Sequence, residues 1–511
     1  HNATTTQGSQ EPSIWTKSAM ADDDGFVAAS AEDLDILFLL ISAMVVFFMQ
    51  VGFSLLEIGS VQPKNTRNVL TKNIFDASVG AIWFCLTGYG VAFGKDYNGV
   101  IGTDLYFLQK DKGDMTGYEW AHFLFQWAFV ATSATILSGA VADRIRLKAY
   151  MIFASYLSAF AYPMMVHWVW HGDGWLSAFR AEDRFMGCGV VDFAGSGVVH
   201  TTGGIAALVA CWMIGPRHGV KFKDGKKYAP DAQSSVYQTT GCLVLWFGWF
   251  AFNGGSVLYI SAASAVAARA MVFTALGAAI GGIATAIIVY AYEKQVIIGE
   301  ALNGILAGLV SITAGCATMD LAGIIITSAI GGGVYFYANA WLAKNHLDDV
   351  VAAFPVHGAC GIWGVIAAGL FSTPKYFKQA YNPDLVDKCS GLFYGGEGNQ
   401  FLANFLFILI CVSWSAANSA MVFWIMKKYR MFRVPALTEK AGVDLFLHND
   451  NTGEEDNMDE DIAPSTEEEA EEHARMSATA SGLEMLLSAT QPFHGPEATD
   501  GDQLQAVSLD P

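Results

Sequence analysis

Eleven apolar runs follow one another between residues 35 and 426, and each approaches the roughly 20 helical residues needed to cross about 30 Å of hydrocarbon. They lie near 35–58, 74–94, 120–142, 149–170, 192–215, 236–259, 269–292, 298–318, 321–342, 350–372 and 402–426. A chain that is 53% hydrophobic and 15% charged, with 52 glycines, fits a soluble enzyme poorly. The expected fold is an all-α polytopic membrane protein of about eleven transmembrane helices. An odd number of crossings puts the termini on opposite sides.

The net charge of -19 belongs mostly to a tail, "NDNTGEEDNMDEDIAPSTEEEAEEHA", which reads as solvated and disordered after about residue 449. The chain presents no basic surface of the kind that binds nucleic acid. Alternate connections are rich in Lys and Arg: Lys64, Arg67 and Lys72; Arg144, Arg146 and Lys148; Arg217, Lys221, Lys223, Lys226 and Lys227; and Lys427, Lys428, Arg430 and Arg433. Positive charge favours the cytoplasmic side, so the N-terminus is expected outside and the tail inside. The resulting division is an extracellular segment 1–33, a transmembrane domain 34–433 and a cytoplasmic tail 434–511. Numbering starts at His1, after a removed leader or at an arbitrary boundary, and Asn2 opens a glycosylation sequon. The eight cysteines show neither a C-x-x-C pair nor zinc spacing. Cys188 and Cys389 both fall in outer loops, where a disulfide depends on a separation the sequence does not give.

Two runs share a short pattern. "GSGVVHTTGG" in the fifth and "AAFPVHGACG" in the tenth each carry a Val-His pair followed by glycine. Spans five apart run in opposite directions, as expected of two five-helix halves related by an inverted repeat plus one C-terminal helix, with a substrate site near the midplane. If the fifth helix starts near Asp192, His200 lies eight residues in, about 12 Å at 1.5 Å per residue, and His357 reaches a similar depth from the other face. A single buried His is ordinarily a core residue bonded to a carbonyl. Two at one depth, in segments whose glycines allow close approach, point instead to a polar pathway. No carboxylate or thiolate joins them at ligand spacing, so neither a metal nor a cofactor is expected there. Two neutral imidazoles can hold a small polar molecule or relay a proton.

Aromatic side chains form the second cluster. "FQWAFVATSA" supplies Phe125 and Phe129 one turn apart, "VHWVWHGDGW" supplies Trp170, and "GWFAFNGGS" supplies Trp249, Phe252 and Ser256. Aromatic faces attract cations by about 0.5–2 kcal/mol, although membrane Trp and Phe taken singly are usually interfacial or packing residues. His167 and His171 are spaced i,i+4 but lack the Glu of a zincin, and both are expected at the outer interface.

"QVGFSLLEIGSVQPKNTRNVL", "SGAVADRIRL", "DFAGSGVVH", "GWFAFNGGS", "ITAGC" and "VHGACGIWG" occur in the order found in the ammonium transporter family (Amt/MEP, with the Rh proteins as relatives), which residues 35 to 448 closely resemble. The likeness is greater to plant and algal-type members than to Rh proteins. It implies a non-enzymatic plasma-membrane homotrimer in the lipid bilayer, with one pore per protomer for ammonium or its analogue methylammonium. In these terms Trp170, Phe125, Phe129 and Ser256 resemble the outer recruitment site, Phe129 and Phe252 the gate, His200 and His357 the twin histidines, and Trp249 a pore-lining residue. Asp192 resembles a structural acid that caps the fifth helix. Proton return along a hydrogen-bonded chain would make transport electrogenic. An ammonium sensor acting through a regulatory partner at the tail, and an electroneutral Rh-like channel, are the alternatives.

Three positions depart from the family. Ala352 stands where some members carry the second-half counterpart of Asp192. Pro355 should bend or unwind the tenth helix. Phe446, in "GVDLFLHND", occupies the place of a plant regulatory threonine, leaving Thr438 and Thr466 as alternatives.

Overall fold

The computed structural model describes residues 29–447. The sequon at Asn2, Thr466 and the acidic tail after residue 449 lie outside them. Among the described residues the chain makes eleven helical passages. These are α1 (Ala31–Ser60), α2 (Pro63–Phe93), α3 (Gly117–Ala140), α4 (Leu147–Trp170), α5 (Ser196–Ile214), α6 (Ser235–Gly254), α7 (Ile260–Glu293), α8 (Ile298–Thr313), α9 (Leu321–Lys344), α10 (Phe354–Phe371) and α11 (Asn399–Lys428). Nine are long and apolar enough to cross a membrane, and α6 with the shorter α8 completes the path. Large apolar side chains remain exposed on several of them, including Ile74, Trp212, Ile283 and Trp424, as expected where lipid replaces water. Polar starts are explicit in the sequence: Ser30 and Thr116 close capping boxes with Asp33 and Glu119.

The connections carry two short hairpins, β1–β2 (Asp96–Tyr97 with Ile101–Gly102) and β3–β4 (Lys221–Lys223 with Lys226–Tyr228). Cys188 and Cys389 are joined by a disulfide. A second unit begins after Val434 and contains the short helices Ala436–Ala441 and Val443–Leu447.

Three of the cations counted as loop charges are not solvated. Lys72 is buried 3.7 Å from the Glu57 carboxylate, Arg144 is fully buried against Asp348, and Arg217 grips Asp348 through Nε and Nη2 at 2.8 and 3.1 Å and Asp143 through Nη1 at 2.9 Å. Burial alone would raise the Asp348 carboxyl, but Arg144, Arg217 and Lys227 outweigh it and hold the group well below the usual carboxylate range. The cluster locks the connections before α4, after α5 and before α10 to one another.

Candidate functional site

α5 packs between α3, α10 and α11, so the histidine it carries points into the centre of the bundle. The helix does not start at Asp192. It starts at Ser196, and His200 is its fifth residue; α10 starts at Phe354, and His357 is its fourth. The expectation of a fifth helix that starts near Asp192 and carries His200 eight residues in is therefore corrected. Irregular chain with a bend precedes each helix, and before α5 apolar residues continue through both conformations.

The two helix starts follow one plan. Asp192 Oδ2 accepts the N–H groups of Gly197 and Val198 at 3.0 and 2.8 Å, satisfying donors that the first turn leaves open. Asp349 Oδ2 accepts the Phe354 N–H at 2.8 Å. The separation between the histidines, 157 residues, also relates Asp192 to Asp349 and Gly195 to Ala352. Gly195 and Ala352 both take positive φ, 100° and 59°, to turn the irregular chain into the helix. Ala352 is thus the counterpart of Gly195, and the second-half acid is Asp349; the suspected departure at Ala352 disappears. Pro355 stands at the second position of α10, where its missing N–H costs nothing. Both helices open with one wide turn, and α5 does so without a proline, so Pro355 is not its cause.

Glycines bring the two starts together. A Cβ on Gly204 would lie 2.1 Å from the Gly358 nitrogen, and one on Gly361 would lie 2.4 Å from the Ser196 carbonyl oxygen. At this crossing His200 Nδ1 and His357 Nδ1 are 3.2 Å apart. One nitrogen must donate and the other accept, which two imidazolium rings could not do. His200 Nε2 is fully buried and has no protein hydrogen-bond partner. Leaving such an atom unmatched costs about 1–3 kcal/mol, so a solute with N–H donors or a lone pair is favoured beside it.

Rings extend from the pair toward the start of α5. Trp249 stacks on His200 with centroids 5.0 Å apart and donates its Nε1–H to Thr313 Oγ1 at 3.0 Å. Phe252 lies one turn further along α6, 5.4 Å from His200 and stacked 4.1 Å from Phe129. Phe125 tilts against Phe129 at 4.8 Å, and Trp170 meets Phe129 edge-on at 6.0 Å. Trp170 Nε1 donates to the Asp192 carbonyl at 2.8 Å, tying this ring to the chain just before α5. Ser256 donates its hydroxyl to the Phe252 carbonyl at 2.7 Å, which leaves its oxygen able to accept. All these rings except the half-buried Trp170 are buried.

Beside His357 the surroundings change. His357 borders a narrow cavity shared with Phe53, Glu57, Thr135, Asn303 and Val351. Sequence reasoning missed Glu57, although it stands in a quoted motif; an acid inside an apolar run was the available signal. His167 is fully buried within the protein, between the Ala92 carbonyl and Asp96.

Residues 37–453 match the Ammonium Transporter Family model. The ammonium transporter Amt2 of Archaeoglobus fulgidus is 38% identical over 419 residues, covering 81% of this chain and 87% of the relative. Ammonium transporter 1 member 2 of rice (Oryza sativa subsp. japonica) is 36% identical over 407 residues, covering 76% and 80%. Among solved structures, a protein titled Sensor Amt Protein is 31% identical with a TM-score of 0.72, covering 80% of this chain and 97% of that one. Mep2 of Saccharomyces cerevisiae, at 23% identity and a TM-score of 0.67, covering 78% and 87%, shares the fold. With the motifs, the helical path and these similarities in agreement, this chain is a multi-pass membrane protein of the ammonium transporter family, a family of transporters and not of enzymes.

Proposed function

We propose that the chain moves ammonium across the plasma membrane through the column of rings and histidines, with its N-terminus outside and its tail in the cytoplasm. The observation that carries this reading is the buried, unpartnered His200 Nε2, set against a His–His hydrogen bond at the end of an aromatic column. Phe125, Trp170 and Ser256 recruit the cation: two ring faces attract it and the Ser256 oxygen accepts an N–H. Ammonium is nearly potassium-sized, so discrimination comes from directional N–H groups and from loss of a proton. Phe129 and Phe252 form the gate. A bare cation finds no counter-charge between these rings, whereas ammonia passes to His200 and His357 without an unpaired charge. The proton released from ammonium crosses separately along the histidines in the same direction and rejoins ammonia on the far side, so net transport is electrogenic, and each protomer of a homotrimer carries its own pore.

The test records ammonium-evoked current together with labelled methylammonium uptake in cells expressing the full chain. Saturable current with uptake is expected; uptake without current contradicts the charge-moving part and favours neutral conduction. A second reading, ammonium sensing through the tail, draws on the similarity to the structure titled Sensor Amt Protein. Signalling without flux, lost when residues after 449 are removed, would favour it.

A further inference from the structure

The outer end of α4 holds a cluster that the transport path does not use. Asp96, on β1, and His167 and His171, at the end of α4, each offer one ligand atom, and these atoms lie within 4.8 Å of one another. His167 Nδ1 faces the Ala92 carbonyl at 2.9 Å and Nε2 faces Asp96 Oδ1 at 2.9 Å. The first bond fixes Nδ1 as the donor and aims Nε2 at the carboxylate, the orienting hydrogen bond usually found behind a metal-bound histidine. Asp96 also accepts the Gly99 N–H, so hairpin pinning accounts for the Asp96–His167 pair. His171 accepts the Asp173 N–H at Nδ1, 3.1 Å away, and its ring stacks on His167 with centroids 4.5 Å apart and planes 16° from parallel, so its Nε2 is the nitrogen left for a ligand.

We infer that Asp96, His167 and His171 form an outward-facing site for a divalent transition-metal ion that restrains Trp170. Two imidazole nitrogens and one carboxylate oxygen suit zinc, nickel or copper and not calcium or magnesium, which prefer all-oxygen shells. Three protein ligands leave a fourth position for water. His167 Nε2 and Asp96 Oδ1 stand at hydrogen-bond distance, 2.9 Å, so closure on an ion requires them to part by a few tenths of an ångström, to about 3.3 Å, and His171, the residue that ends α4, to turn toward them. Trp170 lies between the two histidines in the chain, and its ring and Nε1 are engaged with Phe129 and the Asp192 carbonyl. Drawing His171 inward therefore fixes the outer ring of the column.

Binding is measured on purified full-length protein by zinc titration calorimetry and by the visible spectrum of added cobalt. Wild type is expected to take one ion per protomer at this site with a tetrahedral cobalt signature. His171→Ala and Asp96→Asn should each weaken binding by about tenfold or more. Unchanged binding in both variants, or no stoichiometric binding in wild type, overturns the site. The restraint on Trp170 is read separately as loss of ammonium-evoked current on adding external zinc, reversed by a chelator and absent in His171→Ala. Zinc bound at this site without effect on that current overturns the restraint. The current arm rests on the transport reading; a wild type without current in metal-free buffer counts against transport, while the binding titration still decides the site.

Discussion

The two histidine-bearing helices begin with the same backbone device but are anchored differently. At the start of α5, Val191 exchanges two hydrogen bonds, each 3.0 Å, with the Asn404 side-chain amide. At the start of α10, the position 157 residues later is Asp348, held by Arg144 and Arg217. The α5 start is tied by a neutral amide and lies beside the rings; the α10 start is tied by charges, and its histidine borders a cavity. On the transport reading proposed above, the first end would serve selection and the second anchoring.

Breaking the crossing itself should have the largest effect on both halves. Gly204→Val places branched carbon against the Gly358 backbone, where no flexible side chain can yield, and is expected to leave little folded protein at the surface. Gly333→Ala is the control, since its new carbon would meet only Ile288 Cδ1 at 3.7 Å. Thermal unfolding of solubilised protein, with surface labelling, compares them.

The anchors are compared next. Asp348→Asn should cost about 3 kcal/mol near neutral pH, because removing one partner leaves buried arginine charge uncompensated. The folded Asp348 value is depressed, so its contribution is fully present above the unfolded value of about 3.9 and is lost as pH falls through the lower folded value. Melting curves of wild type and variant should remain apart at neutral pH and converge only in strong acid. A constant gap into acid would place the stabilisation elsewhere.

Asp192→Ala and Asp349→Ala sharpen the comparison further. Each removes a helix cap, at about 1–2 kcal/mol. Only the Asp192 change falls at the residue whose carbonyl holds Trp170, so Asp192→Ala should also raise the ammonium concentration for half-maximal uptake. Equal shifts in both variants would remove the distinction between selection at the α5 start and anchoring at the α10 start. The smallest effect is expected from Trp170→Ala, a rise of about three- to tenfold in that concentration with little loss of stability, as for one cation–π contact. An unchanged concentration dependence would make the ring an interfacial anchor.

Much of this was legible in the residues. Helix number followed from apolar length, and the repeated Val-His-Gly pattern pointed to the pair that meets at 3.2 Å. Phe125, Phe129 and Phe252 could be grouped because i,i+4 spacing and shared motifs placed them on facing helices. The helix starts could not be read, since Val190–Gly195 is as apolar as the helix that follows and hydropathy does not distinguish irregular from helical chain. Asp349 was overlooked because Ala352 was aligned by expectation and not by the eight-residue spacing from acid to histidine that both halves share. Lys72, Arg144 and Arg217 look like loop cations until their carboxylate partners, distant in sequence, are brought beside them.

The most direct measurement compares ammonium and potassium currents in cells expressing wild type, His200→Ala and the His200→Ala, His357→Ala double variant, each shown to reach the surface. The account predicts ammonium-selective current in wild type, and loss of current or of its selectivity over potassium in both variants. Normal ammonium-selective current in the double variant would contradict the central role assigned to the histidine pair.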